Sequence, residues 1–276
     1  MTDALAGSGE KKLNIRKIKG ILSYVYTFVV VPFIIALMYL IPTQQRRFRR
    51  WCGTWFMTLF RIKVRLEGEF DTSAQVIVLN HQSYLDVIFL EAFYPGDLCW
   101  VAKKELGDLF FYGHALKAPK MILLDREDKR SLVMLFKLAK ERLDENRILA
   151  IFPEGTRSAG KEEFLPFKSG AKLLIEKHHL RYQPIVVVHT RRFFDIGKPL
   201  VGGGESLFVT LPARDFVPKE KRAESSADSQ DAQQAESPDW FTALRDEMHA
   251  CYMQHYQPQE IKEQSWKKSS NITPRL

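Results

Sequence analysis

The sequence predicts an α/β fold, with a largely parallel or mixed central sheet and flanking helices, preceded by an N-terminal membrane-associated helical pair. Three observations lead there. From about residue 61 onward, short apolar runs alternate with helical stretches, the pattern of strands buried between covering helices. Residues 21–41 form a run of 21 without a charge. A second apolar stretch, 51–60, follows a cluster of arginines.

The 276 residues suffice for one large α/β domain with attachments. Three scattered cysteines, Cys52, Cys99 and Cys251, lack the spacing of a zinc site or a disulfide framework. No metal is expected, and the catalytic part is expected to face a reducing cytoplasm. The net charge of +8 fits nucleic acid, anionic lipid or an anionic substrate equally well, so its distribution carries more than its sum.

The uncharged run 21–41, taken as a helix, is roughly 31 Å long at ~1.5 Å per residue, which matches a bilayer core. Lys11, Lys12, Arg16, Lys17 and Lys19 precede it; Arg46, Arg47, Arg49 and Arg50 follow it. The positive-inside rule therefore claims both ends for the cytoplasmic side. Pro32 removes a mid-helix hydrogen bond and favours a kink. Two arrangements fit: a bent or re-entrant pair that enters one leaflet and returns, or a single span with a polybasic exit. Either sets the following domain beside lipid head groups, with the arginines on anionic phosphates. The expected location is the cytoplasmic face of a membrane.

Strands are expected at 62–66, 76–79, 98–102, 121–124, 148–152, 184–188 and 207–211, with helices at 84–92, 129–146 and 169–178. In such sheets ligands gather at the carboxyl ends of strands. Three of those ends carry polar residues: Asn80-His81, Asp125-Arg126, and the block Phe152-Pro153-Glu154-Gly155-Thr156-Arg157-Ser158. His81 and Asp86 can meet only if the histidine lies in a turn and the aspartate in the first turn of the next helix. That geometry suits a base and its orienter. Ser83 and Asp86 also have the spacing of a capping box, which leaves His81 an ordinary loop residue, and the stretch alone keeps both readings open. Gly155 permits close backbone approach, and Arg126 and Arg157 offer forked donors suited to phosphate. Singly, each arginine reads as a solvated surface charge and the Pro-Glu-Gly as an ordinary turn.

Together these residues resemble the glycerolipid acyltransferase family, in particular 1-acylglycerol-3-phosphate O-acyltransferases. The family's N-H-x-x-x-x-D motif is present as Asn80, His81 and Asp86, and its F-P-E-G-T-R-S motif is complete from Phe152 to Ser158. The two lie about 70 residues apart, each beside an apolar strand. Blocks at 102–106, 122–126 and 167–171 match as well, and the N-terminal helical pair looks like that of bacterial members. Phe110 and Lys120 stand where the family often has proline and glycine, and Val187 where it often has a second proline.

The resemblance implies transfer of a fatty acyl group from acyl-CoA or acyl-carrier protein to the free hydroxyl of lysophosphatidic acid, giving phosphatidic acid in phospholipid biosynthesis. It implies His81 as general base and Asp86 as its orienter. Lys103, Arg126 and Arg157, with Thr156 and the amides around Gly155, would bind the acceptor's phosphate, and Glu154 would position those donors. The thioester is a co-substrate, and no cofactor is implied. The expected partners are membrane lipids, the lysophospholipid acceptor and the donor. Other readings are an acyltransferase for another lysophospholipid or lyso-aminolipid, a noncatalytic anionic-lipid-binding protein, and a lipid hydrolase or transacylase with the same His-Asp pair. Nucleic-acid binding ranks last, because many basic residues flank apolar segments.

Residues 219–237 contain no aliphatic side chain larger than alanine and no aromatic, the composition of a disordered linker. Beyond it, 240–256 reads as an amphipathic helix with Trp240, Leu244 and Met248 at helical spacing, which fits packing on the domain, contact with lipid or binding of a partner, the first being preferred. His178, His179, His249 and His255 form no metal-binding pattern. The chain thus divides into 1–60, a basic segment with membrane-anchoring helices; 61–218, the α/β domain; 219–237, the linker; and 238–276, the C-terminal helix and tail.

Overall fold

A computed structural model of the chain describes residues 18–125, 130–158, 160–192, 205–218 and 239–257. Lys11, Lys12, Arg16, Lys17, Arg126, the 219–237 linker and the tail beyond 257 lie outside the described residues.

The strands are β1 (Lys63–Glu67), β2 (Val76–Leu79), β3 (Leu98–Lys103), β4 (Ile122–Leu124), β5 (Ile148–Ile151), β6 (Arg181–Val188), β7 (Glu205–Thr210) and β8 (Arg214–Asp215). They form one sheet in the order β1-β7-β6-β2-β5-β3-β4, with β8 paired to β6. The five strands β6, β2, β5, β3 and β4 run parallel. β7 is antiparallel to β6 and carries β1 parallel to itself, so the sheet is mixed. β2 sits in the middle because Val76, Ile77, Val78 and Leu79 are apolar on both faces, and all four are fully buried. From β2 the chain moves outward to β3 and β4, returns through β5, and crosses to β6 on the other side. The order therefore reverses around β2, and crevices open at such reversals beyond the carboxyl ends of the strands.

The N-terminal pair consists of α1 (Ile18–Leu40) and α2 (Gln45–Phe60), joined by a 3₁₀ turn at Pro42–Gln44. Pro32 does not break α1. The turn before it, Tyr26–Val30, widens to a π-helix, which accommodates the ring and the missing N–H. α1 is long and apolar enough to cross a membrane, and Phe28, Val29, Phe33 and Leu40 are exposed along it. Trp51 and Trp55 stack at 6.2 Å on the exposed side of α2.

The arginine cluster requires one correction. Arg46, Arg47 and Arg50 are exposed in the first turns of α2, but Arg49 is buried between Glu91 and Asp97 and cannot face lipid phosphates. On the same inward side, Gly53 lets α2 approach α3 (Tyr84–Phe93), since a Cβ there would lie 2.8 Å from the Ile88 carbonyl oxygen.

The remaining helices are α4 (Lys104–Gly107), α5 (Phe110–Lys117), α6 (Ser131–Asp144), α7 (Ser169–His178) and α8 (Trp240–His255). α4, α5 and β8 were not expected. The F-F-Y-G-H-A-L-K of α5 is aromatic and contains a glycine, both poor helix signals. Close packing offsets this: a Cβ at Gly113 would come 2.0 Å from the Gly107 carbonyl oxygen. α8 enters the main core through Trp240, Leu244, Met248 and Tyr252, four residues apart on one face.

Candidate active site

β2 ends at Leu79, and the next residue, Asn80, continues the ladder with its side chain. Its Nδ2 donates to the Val187 carbonyl at 2.9 Å, and its Oδ1 accepts from the Val187 amide at 2.7 Å. A carboxamide does this because it repeats the donor and acceptor of a peptide group. The turn is thereby tied to β6, and His81 emerges from it.

Ser83 then caps α3. Its side chain accepts from the Leu85 amide at 3.2 Å, and Asp86 Oδ2 accepts from the Ser83 amide at 2.9 Å, so the capping box exists. It does not leave His81 idle. The same Asp86 oxygen accepts from the Gln82 amide at 2.7 Å and lies 2.8 Å from His81 Nδ1. Asp86 Oδ1 accepts from the Thr190 hydroxyl at 2.5 Å. A carboxylate only accepts, so His81 carries its proton on Nδ1 and presents a lone pair on Nε2. Asp86 is fully buried, whereas the His81 side chain retains 14% exposure.

The second motif grips His81 from the other side. Glu154 Oε1 accepts the His81 amide at 2.7 Å, and the Ser158 amide donates to the His81 carbonyl at 2.7 Å. Phe152 lies flat on the imidazole, with centroids 3.7 Å apart and planes inclined by 19°. Trp100 stacks behind Phe152 at 5.3 Å and donates to Glu91 at 2.7 Å. The histidine is therefore held at its amide, its carbonyl, Nδ1 and one ring face, while Nε2 has no hydrogen-bond partner among the described residues.

The expected substrate-binding residues divide. Arg157 stacks over Tyr84, 4.4 Å from the ring centroid, and one of its terminal nitrogens is buried without a hydrogen-bond partner among the described residues. A guanidinium fork with a nitrogen left unsatisfied is chemically suited to an anionic acceptor. Thr156 is exposed. Lys103 ends β3, is 47% exposed and pairs with Glu105 at 2.7 Å; it stands at the same strand-end edge, separated from β2 by β5.

Two of the expected residues are engaged in building the turn. Gly155 has φ +71°, and its amide donates to the Phe152 carbonyl at 3.0 Å, so it builds the turn with the N–H expected for phosphate. Glu154 is buried, and its second oxygen accepts the Leu165 amide at 3.0 Å. Both its oxygens thus bind backbone, and it joins the two motifs. Burial pushes its carboxyl up to about 7, against the two amide donors, which pull it down.

Thr190 and the Phe152 stack were not foreseen. A threonine after the apolar run of β6 was the only trace of the former. A cavity of about 450 Å³ opens beyond Phe152, Pro153 and Gly155, walled by Val101, Leu132 and Leu135.

The Acyltransferase family profile matches residues 61–188. A 1-acyl-sn-glycerol-3-phosphate acyltransferase of Helicobacter pylori is 45% identical over 212 residues, which cover 76% of this chain and 81% of that protein. A protein of the same description from Saccharomyces cerevisiae is 33% identical over 131 residues, 47% of this chain and 43% of that one. The crystal structure of the 1-acyl-sn-glycerophosphate (LPA) acyltransferase from Thermotoga maritima matches with a TM-score of 0.61 over 88% of this chain and 100% of that chain. At 18% identity that match shows a shared fold. With both motifs complete and the relationship extending over most of its length, the chain belongs to the 1-acylglycerol-3-phosphate O-acyltransferase family.

Proposed function

We propose that the protein transfers a fatty acyl group from a thioester, acyl-CoA or acyl-carrier protein, to the free hydroxyl of lysophosphatidic acid, forming phosphatidic acid for phospholipid synthesis. His81 Nε2 removes the hydroxyl proton as the oxygen attacks the thioester carbonyl carbon. The carbon–sulfur bond then breaks, and the imidazolium returns the proton to the departing thiolate. Asp86 keeps the ring in the required tautomer and stabilises its charged form. Arg157, with Lys103, Thr156 and Arg126, binds the acceptor's phosphate, and the cavity beyond Phe152 takes an acyl chain. The donor enters as a co-substrate, and the residues named supply the acid–base chemistry.

The observation that carries this reading is the His81 imidazole, fixed on four sides with Nε2 left open. Ser83 Oγ is occupied as a helix cap, which favours direct transfer over a serine-linked intermediate. The apolar length of α1 and the exposed Trp51 and Trp55 support a membrane location, here assigned to the cytoplasmic face of a bacterial inner membrane. Membrane residence spares both greasy substrates a passage through water.

The test is purified protein with lysophosphatidate and each donor, alongside a phosphate-free monoacylglycerol and other lysophospholipids. Thioester-dependent phosphatidate formation, lost with the phosphate-free acceptor, supports the assignment. Preference for another lysophospholipid would reassign the acceptor, and release of free fatty acid in place of transfer would overturn it.

A further inference from the structure

The C-terminal helix α8 reaches the catalytic turn. Tyr252 is fully buried, and its hydroxyl accepts from Gln82 Nε2 at 3.2 Å and donates to the Lys161 carbonyl at 3.0 Å. Gln82 is the residue after the base, and its amide is one of the donors that hold Asp86. Lys161 opens the segment whose Leu165 amide holds Glu154. One hydroxyl therefore bridges the two motif-bearing segments from outside. The bridge is reinforced along α8: His249 Nε2 lies 2.8 Å from the Glu162 carbonyl, Phe164 meets Tyr252 at 5.1 Å, and Phe167 meets Phe241 at 5.6 Å. These contacts concentrate on residues 161–167 and on Gln82, so α8 covers the back of the active site.

Resting on the assignment of His81 as base, we infer that Tyr252 is a positioning residue, fixing Gln82 and with it the His81–Asp86 geometry. The strand end, the helix start and the second motif hold His81 itself. The buried hydroxyl adds a tie at the next residue, Gln82, from the far side of the site, and displacements on the ångström scale weigh heavily on rate.

The experiment is steady-state kinetics of the full-length protein in detergent, with lysophosphatidate and acyl-CoA, for wild type, Tyr252→Phe, Gln82→Ala and the double variant. Tyr252→Phe keeps the ring packing. It is expected to lower kcat between about tenfold and a hundredfold, with acceptor KM unchanged, and to have no further effect in the Gln82→Ala background. Leu244→Ala, elsewhere on α8, controls for simple destabilisation: its melting temperature falls while kcat per folded molecule holds. A Tyr252→Phe kcat within about twofold of wild type, or losses that multiply in the double variant, would overturn the inference. His81→Ala in the same assay separates the cases, because its full activity would remove the underlying assignment, whereas its inactivity beside an unimpaired Tyr252→Phe would remove only this one.

Discussion

Glu154 Oε1 accepts the backbone amide of His81 at 2.7 Å, so the glutamate of one motif sets the histidine of the other. Glu154→Gln replaces one accepting oxygen with an NH₂ that opposes a backbone N–H, and a fall in kcat of about tenfold or more is expected. A second consequence concerns pH. Burial raises this carboxyl from 4.5 to about 7, so the folded protein holds the proton more tightly than the unfolded chain. The contribution is fully present below pH 4.5 and is lost as pH rises to about 7. Wild-type melting temperature should decline relative to that of Glu154→Gln across this window, and parallel profiles would contradict the assignment.

Asp86 serves the helix cap and the base with one carboxylate. Asp86→Asn should lower kcat by roughly 10² to 10⁴, through loss of imidazolium stabilisation and of the tautomer. The stability loss should be about 1–3 kcal/mol, the scale of a buried donor left facing an NH₂. Thr190→Val removes one donor to Asp86 and should cost less in rate than Asp86→Asn. Rate and denaturation midpoint measured on the same preparations separate the two roles; a loss of rate that merely tracks unfolding would contradict the catalytic one.

These residues show where sequence reasoning reached and where it stopped. β2 and the His81 turn were legible because a short apolar run delivers polar residues within a few positions, and local order decides the result. Spacing left the His81–Asp86 contact open beside a capping box, and only the family resemblance implied it. Thr190, Phe152 against the imidazole, and Tyr252 on Gln82 come from segments brought together across the fold, and nothing local marks them. Arg49 was misplaced because an arginine beside an apolar stretch looks the same whether it meets lipid or a buried carboxylate. α5 was missed because its stability lies in the close approach of Gly113 to Gly107.

Arg49 carries its own prediction. Arg49→Met takes a cation from Glu91, which keeps the Trp100 indole, and from Asp97, which keeps Arg147 at 3.2 Å, so unfolding free energy should fall by about 1–3 kcal/mol. Chemical denaturation measures this. Binding to anionic vesicles should be unaffected in the folded variant, while Gln at Arg46, Arg47 and Arg50 together weakens it by about 1 kcal/mol per charge, less at high salt.

Arg157, one of whose terminal nitrogens has no hydrogen-bond partner among the described residues, should act on acceptor binding. Arg157→Ala is expected to raise the KM for lysophosphatidate well above tenfold, and Arg157→Lys to recover little, because a point charge does not reproduce the fork. Equal loss with a phosphate-free acceptor would contradict the assignment.

The central claim is that His81 Nε2 takes the proton of the attacking hydroxyl. His81→Ala retains the amide and carbonyl that bind Glu154 and Ser158, so the fold should survive the change. Its turnover with lysophosphatidate and acyl-CoA, on protein shown to melt as wild type does, is the direct measurement. A fall of at least about 10² in kcat is predicted; turnover equal to wild type would contradict it.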